Sequence, residues 1–177
     1  MFIGIDFDNT IAGYDRLFPA TAVAEGLLEE GAASTKAQVR SLLQQKLDGK
    51  REWMKLQGQV YGAYMAEADL IDGVTEFLLR CKVSNTTVCI VSHKTVFGHF
   101  DIAKTNLREA ASNWMISQNF FDVDGLGLSW ENIYFEATRE EKVDRISKLG
   151  CTHFIDDLEE VFAEPGFPES TQKYFFS

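Results

Sequence analysis

Four short apolar runs, each closing on a polar or acidic cluster, constrain this chain more than any other feature in it. Phe2-Ile3-Gly4-Ile5 runs into Asp6, and Thr87-Val88-Cys89-Ile90-Val91 ends at Ser92. Asn132-Ile133-Tyr134-Phe135 ends near Glu136, and His153-Phe154-Ile155 ends at Asp156-Asp157. Lys173-Tyr174-Phe175-Phe176 reads as a further strand at a sheet edge. Runs that are continuously apolar, rather than alternating, belong to strands buried on both faces, as in a parallel sheet. Helical patterns separate them. Val74, Phe77, Leu78 and Cys81 share one helical face, and Ala103, Leu107, Ala110 and Trp114 share another. Strand–helix alternation predicts an α/β fold, a doubly wound parallel sheet with right-handed crossovers. Ligands in such sheets lie beyond the carboxyl ends of the strands, which is where the polar clusters fall.

About eighty residues separate the first two strands, far more than a crossover helix needs. The excess reads as three amphipathic helices. Pro19 opens one carrying Ala22, Val23, Leu27 and Leu28, with Gly31 near its end; Ser34 or Thr35 caps a second bearing Val39, Leu42, Leu43 and Leu47. A third carries Trp53, Leu56, Val60 and Tyr64. The organisation expected is a core of residues 1–14 and 71–177, with a small α-helical cap at 15–70 inserted after the first strand.

Composition narrows the partners. With a net charge of -10, the surface repels nucleic acid and anionic lipid, so neither is an expected partner. Cys81, Cys89 and Cys151 are odd in number and lack Cys-x-x-Cys spacing, which predicts reduced, structural thiols and a cytoplasmic protein. The apolar start at residues 1–5 is too short for a signal peptide, and no stretch reaches the ~18 apolar residues of a membrane span.

The chemistry concentrates in four places. In Asp6-Phe7-Asp8-Asn9-Thr10, residues i and i+2 of an extended chain face the same way. Asp6 and Asp8 therefore reach one pocket while Phe7 turns into the core, and Asn9 suits a tight left-handed turn. An acidic turn that merely closes a strand is the plainer alternative. Asp156-Asp157 ends another strand; Asp157 as a simple helix cap is the alternative there. Four carboxylates at neighbouring strand ends repel unless a cation sits among them, and all-oxygen ligands select a hard ion, Mg²⁺ before zinc. Thr138-Arg139-Glu140-Glu141 reads as a capping box opening a helix to Leu149, with Gly150 as the stop. Lys142 then lies in its first turn, on the face shared with Ile146 and Leu149, directed at the sheet and opposing the helix dipole. The alternative is a lysine whose stem covers the core edge. Ser92, with His93 and Lys94 after it, offers a hydroxyl and backbone N–H groups to phosphate oxygens, or is a plain serine at a strand-to-loop junction.

Taken in order, these features resemble the four motifs of the haloacid dehalogenase-like (HAD) superfamily. Asp6-Phe7-Asp8-Asn9-Thr10 is similar to its Asp-x-Asp-x-Thr motif, Ser92 to its second, Lys142 to its third and Asp156-Asp157 to its fourth. The helical insertion resembles its C1-type cap. The resemblance implies a phosphatase: Asp6 as nucleophile forming an aspartyl-phosphate, Asp8 as general acid and base, Ser92 and Lys142 steadying Asp6 and the phosphoryl oxygens. It implies Mg²⁺ held by the Asp6 carboxylate, the Asp8 backbone carbonyl and Asp156, with Asp157 in support. Thr10, Ser92, His93 and Lys94 are the substrate-binding candidates. An acid at position 8 argues against dehalogenation, since family dehalogenases lack one there. Two departures stand out: Lys142 is not followed by proline, and Asn9 replaces the common glycine. The expected substrate is a small phosphorylated metabolite, handled by a monomer or homodimer. On the third cap helix, Arg51, Lys55, Gln57 and Tyr61 either touch the leaving group or form a solvated face. The rival function is a non-catalytic or phosphoacceptor regulatory domain on the same fold, although receiver-like domains carry the acceptor acid at a middle strand, where this chain has Ser92.

Overall fold

A computed structural model describes residues Met1–Ser177. It divides into two compact units: residues 1–12, 70–95 and 115–177 form the first, and 13–69 with 96–114 form the second.

The first unit holds the sheet. Strand β1 (Phe2–Ile5) is followed by β2 (Ala12–Gly13), where the chain leaves this unit, and β3 (Asp69–Leu70), where it returns. Strands β4 (Thr87–His93), β5 (Ile133–Glu136), β6 (His153–Asp156) and β7 (Gln172–Phe175) complete the set. Five strands lie in the order β5-β4-β1-β6-β7, and every pairing is parallel. The expected parallel α/β sheet is thus present, and the C-terminal run is its edge strand. β1 is central, with a strand on either side, and Ile3 and Ile5 are buried. Ile5 stands opposite Ile90 of β4 and Ile155 of β6, so Asp6 emerges with β4 and β6 beside it.

Seven α-helices occur: α1 (Leu17–Ala24), α2 (Lys36–Gln44), α3 (Gly49–Val60), α4 (Val74–Val83), α5 (Leu107–Ser117), α6 (Arg139–Leu149) and α7 (Glu159–Phe162). α6 packs Val143 and Ile146 against Cys89, Val91 and Phe154 of the sheet. Its start is the expected capping box: Thr138 Oγ1 accepts from Glu141 N at 3.1 Å, and Glu141 Oε2 accepts from Thr138 N at 3.2 Å. Gly150 ends it with φ 67°. Cys81, Cys89 and Cys151 are all buried thiols.

The second unit is helical. Phe18 of α1 stacks on Trp53 of α3 at 5.0 Å, and Tyr61 meets both Phe18 and Tyr14 edge-on. Val39 and Leu43 of α2 and Leu56 and Val60 of α3 are fully covered. Gly58 and Gly98 bring α3 against the 96–106 segment. A Cβ on Gly98 would lie 2.6 Å from the Gly58 Cα, so only glycine permits this approach.

Helical periodicity in the sequence outruns the helices themselves. α1 stops at Ala24, with Gly26 at φ 68°, so Leu27 and Leu28 lie beyond it. Leu47 follows the end of α2 and is 95% exposed, and Tyr64 follows α3. Ala103 precedes α5, whose start is fixed by the Asn106 side chain accepting from Arg108 N and Glu109 N. The buried face of α5 is Leu107, Ala111, Trp114 and Met115 rather than the series through Ala103 and Ala110. Residues 96–114, placed with the core in the sequence reading, group with the helical unit; Trp114 Nε1 donates to Ala68 O at 3.0 Å and Leu107 N to Val96 O at 2.8 Å. No helix is long and apolar enough to cross a membrane.

Candidate active site

Asp6 leaves β1 with its backbone still tied to the sheet, its N–H donating to Ile155 O at 2.9 Å. The chain then turns sharply. Asn9 takes φ 61°, and Ile11 N and Ala12 N both donate to Phe7 O, which keeps the loop tight and buries Phe7 completely. Asparagine tolerates this left-handed conformation at lower cost than most side chains, so it can stand where glycine is common. The turn also aims the Asn9 side chain at Asp157: Nδ2 donates to Oδ2 at 3.1 Å. Asp157 therefore joins the acidic cluster, and the N-cap of α7 is Leu158, with no side-chain cap bond.

Lys142 lies at the centre of the site. It is 1% exposed, and its ammonium donates to Asp6 Oδ1 and Asp156 Oδ2, both at 2.6 Å. Asp156 is wholly buried, and its other oxygen accepts from Leu158 N at 3.0 Å. Burial works against a charged Lys142, but Asp6 and Asp156 together overcome it and hold its pKa above the ordinary 10.5. Asp6 behaves in the opposite sense. Burial raises its pKa, Lys142 pulls it back, and Asp156 and Asp8 raise it again, leaving it at about 7 instead of 3.8. Lys148 lies in the last turn of α6, away from its start.

Asp8 has its own cation. Lys94 Nζ stands 3.0 Å from Oδ1 and 2.9 Å from Oδ2 of Asp8, with only 2% of the lysine side chain exposed. Sequence reasoning placed Lys94 toward substrate; the structure pairs it with Asp8, beside the Lys142 grip on Asp6. Ser92 is 1% exposed and its Oγ has no hydrogen-bond partner; the Thr10 hydroxyl is likewise buried without one. Two buried orphan hydroxyls in one unit are costly unless something binds there. His93 turns away: its ring Nε2 lies 3.1 Å from Ala137 O, and burial lowers its pKa.

Carboxylate oxygens of Asp6, Asp156 and Asp157 all lie within 4.8 Å of one another. An all-oxygen donor set with this spacing fits a hard divalent cation. The raised Asp6 pKa points the same way, since a positive ion there would favour the carboxylate it now disfavours. Asp8 is not part of this triplet, and its carboxylate is paired with Lys94.

β1 is central and ends in Asp6, with β4 delivering Ser92 on one side and β6 delivering Asp156 on the other. A Had-superfamily hydrolase from Ehrlichia chaffeensis shares this fold at a TM-score of 0.52 and 14% identity, over 96% of this chain and 83% of that one. A HAD family hydrolase from Deinococcus radiodurans R1 with bound phosphate and sodium has a TM-score of 0.49 and 14% identity, over 99% of this chain and 90% of that one. The Ectopic P granules protein 2 of Caenorhabditis elegans is 25% identical over 111 residues, 63% of this chain. The match spans only 15% of that protein's length. No protein-family model matches the chain.

Proposed function

We propose that this chain is a Mg²⁺-dependent phosphatase acting on a small phosphorylated metabolite through an aspartyl-phosphate. One observation carries the reading: Asp6, at the end of the central strand, is gripped by Lys142 with Asp156 and Asp157 alongside. That is the environment a phosphoryl-accepting carboxylate needs. Asp6, Asp156, Asp157 and the Asp8 backbone carbonyl would hold one Mg²⁺, whose charge would offset that of the phosphoryl oxygens.

The protein's own groups perform the steps. An oxygen of Asp6 attacks phosphorus as the bond to the leaving oxygen breaks. Asp8 passes a proton to the leaving oxygen as general acid. In the second step the Asp8 carboxylate takes a proton from water as the water oxygen attacks phosphorus, which frees Asp6 and inorganic phosphate. Lys142 fixes the attacking carboxylate and Lys94 fixes Asp8. The Ser92 hydroxyl and backbone hold phosphoryl oxygens, a role supported by its buried, unpartnered Oγ.

The test is a phosphate-release screen against a panel of phosphorylated metabolites, with Mg²⁺ and with EDTA. Turnover should need Mg²⁺ and disappear in Asp6→Asn. Turnover that survives in Asp6→Asn sinks the nucleophile assignment. Stable phosphorylation by acetyl phosphate without phosphate release from any ester would instead favour a phosphoacceptor domain.

A further inference from the structure

The α2–α3 segment runs against the charge of the whole protein. Between residues 36 and 60 lie six basic side chains, Lys36, Arg40, Lys46, Lys50, Arg51 and Lys55, against two acidic ones, Asp48 and Glu52. That is a local +4 in a chain of -10, so the remainder carries -14. The prevailing sign in the chain is negative. This segment concentrates the opposite one.

The positive charge lines a cavity. A hollow of about 460 Å³ is walled by Arg40, Gln44, Lys50, Trp53, Met54 and Gln57. No carboxylate lines it, and neither Arg40 nor Lys50 belongs to any ion pair of the protein. Both cations are exposed, so nothing within the chain neutralises them. The frame around them is rigid. Trp53 is stacked on Phe18, and the Arg40 guanidinium stands 5.9 Å from the Trp53 ring centre, which tethers its head through a cation–π contact. Gln44 and Gln57 add amide donors. A second hollow of about 270 Å³, lined by Lys36, Ala37, Arg40, Ser41 and Gln44, shares Arg40 and Gln44 with the first. The two form one basic groove along α2. The volume is that of a small-molecule site, and a guanidinium beside an ammonium, with amides and no acid, matches a phosphate group.

We infer that this groove in the helical unit is a binding site for a phosphate-bearing small molecule. The inference concerns the second unit alone and does not depend on hydrolysis at Asp6.

Inorganic pyrophosphate is the probe, added to the ¹⁵N-labelled full chain in EDTA, with amide shifts followed by NMR. Saturable shifts are expected at Arg40, Gln44, Lys50 and Gln57. Arg40→Gln and Lys50→Gln should each weaken binding at least tenfold. Lys55→Gln removes the same charge from the same helix outside the cavity and should change affinity less than threefold. Shifts that grow linearly without saturating, or that appear only around Asp6 and Ser92, would overturn the site. So would a Lys55→Gln loss as large as the other two, which would mark a diffuse field instead of a pocket. Both cavity cations are exposed, so the variants keep the fold, and a melting curve on each verifies this.

Discussion

Replacing Asp6 with asparagine should stabilise the metal-free protein, and more so as pH rises. In the folded state Asp6 titrates at about 7 against 3.8 when unperturbed. A carboxyl whose folded pKa is raised favours the fold fully only below its unfolded value, and loses that contribution as pH climbs through the folded one. The span from 3.8 to about 7 is roughly three pH units, which at ~1.36 kcal/mol each makes about 4 kcal/mol against the ionised form. Asparagine matches the neutral carboxyl in shape and keeps an oxygen for Lys142. Between pH 5 and pH 8 the wild type crosses about two of those units, so the advantage of Asp6→Asn should grow by roughly 2–3 kcal/mol across that window. Urea unfolding of both proteins in EDTA at the two pH values gives the double difference, in which the titrating groups distant from Asp6 cancel. In melting temperature the same change is on the order of 5–10 °C for a chain of this size. An advantage equal at both pH values, or larger at pH 5, would refute the electrostatic account of Asp6. Mg²⁺ should erase part of the difference by stabilising the wild type at pH 8 more than the variant.

Lys142→Met leaves two buried carboxylates without their ammonium, and unfolding at neutral pH should show a loss on the order of 3–5 kcal/mol. Its melt should recover as pH falls and Asp6 protonates. Ser92→Ala deletes an oxygen that bonds to nothing inside the protein, so stability should stay within ~1 kcal/mol while phosphate release falls at least tenfold; a parallel collapse of stability would show that the hydroxyl is structural. Gly98→Ala should cost about 1–3 kcal/mol, because its new methyl meets the Gly58 backbone at 2.6 Å and α3 must shift, which a urea titration reads directly.

Much of this was legible in the chain because it is local. The capping box from Thr138 to Glu141 and the left-handed Asn9 depend on neighbours within a few residues, and both are present as expected. The strands were legible because burial on two faces writes an unbroken apolar run. Helix ends were harder, since amphipathic spacing continues through Leu27, Leu47 and Tyr64 after the backbone has turned. α1 stops just before Gly26 adopts positive φ, a backbone event rather than a change in hydrophobicity. The partner of Lys94 was invisible for a different reason. Asp8 lies 86 positions away, and nothing beside Lys94 in the sequence marks which acid it will meet. The attachment of residues 96–114 to the helical unit likewise rests on distant contacts such as Trp114 to Ala68.

The central place of β1 in the sheet also sets a timetable. Its two neighbours, β4 and β6, are made long after it, and the residue that grips Asp6 follows 136 positions later. A chain emerging from the ribosome therefore carries its key carboxylate early, with neither the amine nor the second acid to meet it. Those partners arrive only once residue 156 has been made, so a polypeptide cut short before it cannot close its own centre.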